Sequence, residues 1–205
     1  MIKVRLNGRL GNQLFIYAFA RKCMEKYGQK VLIYDRKNES DEMWYSHLDG
    51  YKVNSNIEFT SDKNEFMKMK CYSKFLYYYD RLRTRKKTPR ERYITQKKWL
   101  NYYIKNGLIL FTDGYFELPD TIPENLYCEG YFQSAKFFDD IRAQLLLELK
   151  PKDEHTDDEK ELIRKIESTI SVCLTIRLGD YIGNSTHQVC TAKFYNNAMR
   201  KMKEL

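Results

Sequence analysis

The first 35 residues contain the pattern that most constrains the fold. Ile2–Leu6 reads as a short strand, Asn7–Gly11 as a turn with two glycines, and Asn12–Tyr27 as a helix that ends at Gly28. The helix is apolar nearly all round, which is typical of a buried helix. Val31–Tyr34 then reads as a second strand. A strand–helix–strand unit pairs its strands in parallel, so the sequence predicts an α/β fold.

Further elements follow with weaker patterns. The spacing predicts helices over Phe66–Leu82 and Lys97–Ile104, and a strand over Leu126–Tyr131. Polar stretches such as Lys37–Glu42 and Asn54–Asn64 read as loops. In the last third we expect the following elements: a helix over 135–149 capped by Ser134, a helix to Glu167 opened by the capping box Thr156–Glu159, a buried strand over Ser171–Ile176, and a helix over 192–203 capped by Thr191.

The positive charge of the chain is concentrated in one segment. The formal net charge is +8, and Arg81–Lys98 alone holds nine basic residues and one acid, Glu91. Tyrosines and a tryptophan flank this run. Three interpretations remain open: a solvated face, a membrane-surface patch that meets anionic lipid, and a single-stranded nucleic-acid contact over residues 81–103.

Targeting and metal signals are absent from the sequence pattern. The five cysteines form no Cys-x-x-Cys pair, which argues against a zinc site and favours a reducing, cytoplasmic location. No run approaches the length of a membrane span, and the charged N-terminus does not read as a signal peptide. We expect a cytoplasmic protein, either free or peripheral at the cytoplasmic face of the membrane, that uses neither metal nor cofactor.

Two segments have the residues for binding a phosphate. The glycine turn, Gly8–Gln13, lies between a strand and a helix, where backbone N–H groups and the helix N-terminus attract anions. Arg177 follows the predicted strand Ser171–Ile176, at the position where open α/β sheets bind ligands. Its guanidinium matches a phosphate bidentately, or pairs with Asp180. His187 follows in the next loop.

Several ordered segments resemble the α-1,2-fucosyltransferase family, glycosyltransferase family eleven. Val4–Arg21 is close to the N-terminal signature of that family, and Glu129–Phe138 resembles its Gly-Tyr-aromatic-Gln-Ser segment. Thr175–Tyr181 resembles its His-x-Arg-Arg-Gly-Asp-Tyr motif, with Thr175 in place of the histidine and Leu178 in place of the second arginine.

The resemblance implies a reaction and a set of site residues. It implies transfer of L-fucose from GDP-β-L-fucose to the 2-hydroxyl of a β-galactoside, with inversion and without a metal. The acceptor would be an oligosaccharide or a lipid-linked glycan. The implied donor-binding residues are Gly8, Arg9, Gly11, Asn12, Gln13 and Arg177, and the implied catalytic residues are Arg177, Asp180 and His187. We hypothesise that Arg9 partly replaces the cation missing at Leu178.

The resemblance also implies an arrangement of domains. Family members have two Rossmann-like domains, and the second holds most of the nucleotide pocket. Here residues 1–150 would form the acceptor-side domain, and residues 151–205 a linker helix with the first βα unit of the donor domain. Only 35 residues follow from Ser171 onward, whereas a doubly wound nucleotide domain needs several such units. The chain therefore resembles a truncated member, either active or non-catalytic. The alternative from another functional class is a nucleic-acid-binding protein that uses residues 81–103.

Overall fold

A parallel sheet of five strands organises the larger part of the chain. The computed structural model describes residues 1–39, 45–112, 114–176, 182–183 and 190–204. The chain divides into two units, Met1–Asp153 and Glu154–Leu205. The first unit contains the sheet, with strands β1 (Ile2–Arg5), β2 (Val31–Tyr34), β3 (Ile57–Thr60), β4 (Leu108–Phe111) and β5 (Leu126–Gly130). The predicted α/β class is confirmed.

The strand order explains where a ligand site forms. The order is β3-β2-β1-β5-β4, and every neighbouring pair is parallel. From β1 the chain moves outward to β2 and β3, then crosses to β4 and returns to β5 beside β1. The direction of winding therefore reverses between β1 and β5. In open α/β sheets, the crevice at the carboxyl ends of two such strands binds ligands.

Helices cover both faces of this sheet. They are α1 (Leu10–Tyr27), α2 (Lys63–Phe66), α3 (Cys71–Thr84), α4 (Pro89–Lys105) and α5 (Arg142–Glu148), with short 3-10 turns at Leu48–Gly50, Ala135–Phe137 and Asp139–Ile141. One buried cluster joins the sheet to α1 and α5, and a second joins it to α2 and α3. Because both faces are covered, β2 and β4 are buried at all four positions, as parallel strands require.

The glycine turn and the helix after it agree with the sequence prediction. The helix α1 starts at Leu10, two residues before the predicted start, and Gly28 ends it in the left-handed conformation with φ 60°. The Gly28 N–H donates to the Met24 carbonyl at 3.0 Å. A glycine at this position adopts a positive φ without the strain that a side chain would add.

The middle of the first unit corrects several predictions. The edge strand β3 lies inside the stretch 54–64 that was expected to be a loop, and β4 was not predicted. The helix α4 begins at Pro89 rather than Lys97, because Thr88 and Glu91 form a capping box there. The predicted helix over 135–149 is wrong in its first half. The side chain of Ser134 gives no capping hydrogen bond, and two 3-10 turns precede α5.

The second unit contains two helices in its described part. The helices α6 (Asp157–Glu167) and α7 (Ala192–Met202) begin at the predicted caps Thr156 and Thr191. The buried strand predicted over 171–176 is wrong, because these residues are exposed and carry no strand. A strand needs the backbone of a neighbour to satisfy its own polar groups, and the described part of this unit supplies no such neighbour.

Candidate functional site

The glycine turn bends sharply at Gly8. Gly8 has φ +71°, and a Cβ at this position would lie 2.1 Å from Asn12 Nδ2. The bend therefore packs the Asn12 side chain against the backbone of Gly8. A side chain at position 8 would obstruct this contact. Arg9 is exposed and occupies the N-cap of α1, whose first turn contains no acidic residue. Gly11 is exposed, with no atom close to the position of a Cβ.

Gln13 holds the glycine turn in place through hydrogen bonds of its side chain. Its side chain is fully buried, and Nε2 donates to the carbonyls of Gly8 at 2.9 Å and Tyr45 at 2.7 Å. Its Oε1 accepts from the His47 N–H at 2.9 Å. These bonds occupy the buried amide, so Gln13 positions the turn. Its role in donor binding stays a prediction.

The segment after β5 meets the glycine turn. A Cβ at Gly130 would lie 2.1 Å from the Phe111 carbonyl oxygen, so this position in β5 accepts no side chain. Phe132 has φ 50° and stacks on Phe19 with ring centroids 3.7 Å apart. The chain thus turns so that Gln133 Nε2 donates to Asn12 Oδ1 at 2.7 Å. Two motifs that are 121 residues apart in sequence are in contact at the crevice between β1 and β5.

A cleft of about 650 Å³ opens beside this crevice, between α3, α4 and the ends of β4 and β5. We call it the arginine cleft. It is lined by Asn7, Tyr77, Tyr78, Asp80, Arg81, Leu82, Thr84, Arg85, Arg92, Gln96, Leu110, Thr112, Glu129, Gly130 and Tyr131. Its volume falls in the range of small-molecule sites, and its lining combines arginines with tyrosines.

Four side chains contact the carboxylate of Glu129 and form one charged network in the cleft wall. Its Oε2 accepts from the hydroxyls of Tyr77 at 2.9 Å and Tyr127 at 3.0 Å. Arg5 and Arg81 approach its carboxylate at 3.6 and 3.7 Å. Burial by itself would lower the pKa of Arg5, but Glu129 and the neighbouring phenols raise it above the usual arginine value. Burial and Glu129 raise the pKa of Tyr77 and Tyr127, so both phenols stay protonated as donors.

Asp80 is the hub of a second network. The carboxylate is 3% exposed and accepts from the Tyr103 hydroxyl at 2.9 Å, Gln96 Nε2 at 3.3 Å and Arg83 Nη2 at 3.1 Å. Gln96 Oε1 in turn accepts from the Thr112 N–H at 2.9 Å. These bonds tie α3 and α4 to the end of β4, so the helices that bear the cleft arginines are held in place.

The basic run Arg81–Lys98 does not form one solvated face. Arg81, Arg85 and Arg92 line the cleft, whereas the Arg83 guanidinium lies 4.9 Å from the Trp99 ring and pairs with Asp80. A separate aromatic face lies on α3 and α4. Its exposed members are Tyr72, Phe75, Tyr79, Trp99 and Tyr102. Neighbouring rings stack along it, and the hydroxyls of Tyr72 and Tyr102 hydrogen bond to each other.

The remaining predicted site residues are not placed. Arg177, Asp180 and His187 lie outside the described residues. Within the described ranges, no three His, Cys, Asp or Glu side chains are grouped so that they could hold a metal ion. None of the helices in these ranges is long and apolar enough to cross a membrane.

Sequence reasoning missed the polar residues of the cleft wall. Asp80 and Gln96 interrupt the buried faces of α3 and α4, where they share helical spacing with Tyr77 and Tyr103. Glu129 is the acidic residue of an otherwise buried strand. A buried polar side chain needs a partner. These polar residues at buried positions are therefore the sequence feature that indicates a hydrogen-bond network.

Comparisons with known proteins agree with the resemblance. A family model described as glycosyl transferase family 11 matches residues 1–204. The chain is 25% identical over 213 residues to an alpha-1,2-colitosyltransferase of Escherichia coli, in an alignment that covers 100% of this chain and 64% of that protein. The chain therefore spans 64% of the length of this curated relative. The comparison with solved structures found no match.

Proposed function

The chain belongs to glycosyl transferase family 11, a family that joins a sugar from a nucleotide-sugar donor to a glycan, and from this membership we propose that it transfers a 6-deoxyhexose from a GDP-linked donor to an acceptor hydroxyl. L-Fucose is the first candidate, because the motifs resemble those of fucosyltransferases. Colitose, which is fucose without its 3-hydroxyl, is the second, because the curated relative is named for it.

The glycine turn is proposed to face the donor. Cleavage of the bond between C1 and GDP leaves a diphosphate with growing negative charge, while the sugar passes through an oxocarbenium-like state. Backbone N–H groups at the start of α1 and the exposed Arg9 suit this leaving group. Each preorganised donor of this kind is worth about 3–4 kcal/mol in the transition state. Arg177 is proposed as the principal cation and Arg9 as the second.

The acceptor is proposed to lie in the arginine cleft. Inversion requires the attacking hydroxyl, here the 2-hydroxyl of a β-galactoside, on the face of the sugar opposite to GDP. A base then removes the hydroxyl proton, and Asp180 and His187 are the proposed candidates. The cleft and the glycine turn share the same sheet edge, since Asn7 lines the cleft immediately before Gly8.

One observation carries the proposal. The Gln133–Asn12 hydrogen bond joins the two described family motifs at the point where the winding of the sheet reverses. A ligand held there touches both motifs, which supports a binding site rather than two unrelated structural turns.

The test is an assay of GDP release and product formation with GDP-fucose or GDP-colitose and lactose. We expect transfer by the chain, its loss in Arg177→Ala, and a decrease of about 100-fold in Arg9→Ala. Arg164→Ala on α6 is the matched control, because this exposed arginine is bonded within its own helix, and it should leave the rate unchanged.

Two results would contradict parts of this proposal. Unchanged turnover in Arg9→Ala would remove the role of Arg9. Absence of GDP release, with GDP-fucose binding seen by calorimetry, would mean that this chain holds a donor without transferring it.

A peripheral membrane contact is proposed as a second property. The aromatic face offers rings of the kind that settle at a lipid interface, and Lys97 and Lys98 of the basic run lie on α4, one of its two helices. For the nucleic-acid alternative over residues 81–103, neither the comparisons nor the arginine positions offer support, since three of the arginines line the cleft.

A further inference from the structure

Among the described residues, the arginine cleft contains more positive charge than its own carboxylates balance. Its wall includes Asp80 and Glu129 as acids. Asp80 is occupied by Arg83, and Glu129 is shared by Arg5 and Arg81. Each carboxylate also accepts two neutral hydrogen bonds, and neither forms an ion pair with Arg85 or Arg92.

Arg85 and Arg92 remain without a carboxylate among the described residues. Three arginine Nε atoms in this part of the chain are buried without a hydrogen-bond partner, those of Arg5, Arg83 and Arg92. Arg5 and Arg83 hold carboxylates through their other nitrogens. Arg92 differs, because none of its guanidinium nitrogens has a partner within the described ranges. A buried donor that stays unpaired is costly, so a ligand is the expected partner.

The chemistry of the missing partner follows from the lining. Guanidinium groups match the paired oxygens of a carboxylate or a phosphate. Tyr77, Tyr78 and Tyr131 add rings whose faces pack on apolar surface while their hydroxyls hydrogen bond. A site that needs an oxyanion, apolar contact and hydroxyl contacts together fits a sugar that bears an acidic group.

We propose that the acceptor of this glycosyltransferase is an acidic glycan, and that Arg85 and Arg92 bind its carboxylate or phosphate group. This inference rests on the proposed function, in which the cleft holds the acceptor. It goes beyond that function because a neutral β-galactoside would leave both guanidinium groups without a counter-charge. Arg81 is excluded from the role, because its Nη1 already donates to the Tyr77 hydroxyl at 2.5 Å.

Calorimetry on the whole chain without any donor tests the inference. The probes are lactose, 3′-sialyllactose as the carboxylate and lactose 1-phosphate as the phosphate. We expect at least one acidic probe to bind about 10-fold more tightly than lactose, which corresponds to about 1.4 kcal/mol. The tighter of the two identifies the acidic group.

Matched arginine variants locate the effect. Arg92→Gln and Arg85→Gln should each bring the affinity for the acidic probe toward that for lactose. Arg90→Gln is the control, since this exposed arginine on the same helix does not line the cleft, and it should keep the full preference.

Three results would overturn the inference. The first is equal or absent binding of the acidic probes and lactose. The second is binding of inorganic phosphate as tight as that of lactose 1-phosphate, which would mean a simple anion site. The third is displacement of the acidic probe by GDP together with weaker GDP binding in Arg92→Gln, which would assign the cleft to the donor. If the chain transfers sugar to lactose but binds no acidic probe more tightly than lactose, this inference alone is wrong. If the chain prefers an acidic probe but transfers sugar from no donor, the proposed function is wrong.

Discussion

The two sides of the carboxyl edge of the sheet use their polar residues differently. On the glycine-turn side, the buried amide of Gln13 is occupied by three backbone groups. On the arginine-cleft side, Asp80 pairs with Arg83 and Glu129 pairs with Arg5 and Arg81, whereas Arg85 and Arg92 have no carboxylate among the described residues. Gln13 therefore maintains the backbone shape of the turn, and the cleft side carries charge that a ligand can use. The following predictions test this contrast.

The largest effect is expected at Asp80. Asp80→Ala removes the acceptor for Tyr103, Gln96 and Arg83, and leaves a largely buried cation unpaired. We expect a loss of about 3–5 kcal/mol in the free energy of unfolding, measured by chemical denaturation. Asp139→Ala at an exposed position is the control and should change stability by less than about 0.5 kcal/mol. A loss at Asp80 no larger than that of the control would show that the cleft wall is not held by this carboxylate.

A smaller loss is expected at Gln13. Gln13→Ala leaves the carbonyls of Gly8 and Tyr45 and the N–H of His47 without their partner. We expect a loss of about 1–3 kcal/mol by the same denaturation measurement. The exposed Gln144→Ala on α5 is the matched control. If Gln13→Ala proved neutral in stability and instead abolished donor binding, Gln13 itself would be a ligand contact and the contrast would fail.

These two residues also show what the sequence predicts and what it does not. The apolar helix α1, the turn before it and Gly28 after it follow from local pattern, because each depends on residues within one or two turns. The capping boxes at Thr88 and Thr156 are likewise local, although only the one at Thr156 was predicted. The Asp80 network depends on how α3, α4 and β4 pack, which no local pattern determines.

The strands show the same limit. The edge strand β3 has four residues and exposes Glu58 and Phe59, so it exists through its pairing with β2 rather than through its own pattern. Ser171–Ile176 has the composition of a buried strand but no described neighbour to pair with. The resemblance indicated both motifs. The contact between Asn12 and Gln133, however, can be predicted only when the strand order is known.

A third prediction separates the cleft arginines from the aromatic face. Replacing Phe75 and Trp99 by serine should lower affinity for vesicles with anionic lipid by about 10-fold, because both rings are exposed on that face. Vesicle sedimentation measures this. Arg92→Gln should leave vesicle affinity nearly unchanged, since the residue lines the cleft. The reverse ranking would assign the cleft arginines to the lipid surface.

The smallest effect concerns pH on the turn side. Burial would raise the pKa of Glu39, but hydrogen bonds from Arg36 and Tyr34 and the nearby Arg5 hold that pKa below the usual value. The resulting stabilisation is present above the unfolded glutamate pKa of about 4.3 and is lost as the pH falls through the lower folded pKa. Glu39→Gln should therefore flatten the acid side of the stability curve, whereas the exposed Glu117→Gln should not. Identical curves for both variants would contradict this assignment.

The contrast between the two sides is tested most directly by an NMR titration of the nitrogen-15-labelled chain with the acidic probe. We expect the Nε signals of Arg85 and Arg92 to shift with ligand, while the Gln13 side-chain amide and the Arg83 Nε signal stay in place. Shifts centred on the Gln13 amide, or unchanged signals at both cleft arginines under saturating ligand, would contradict this expectation.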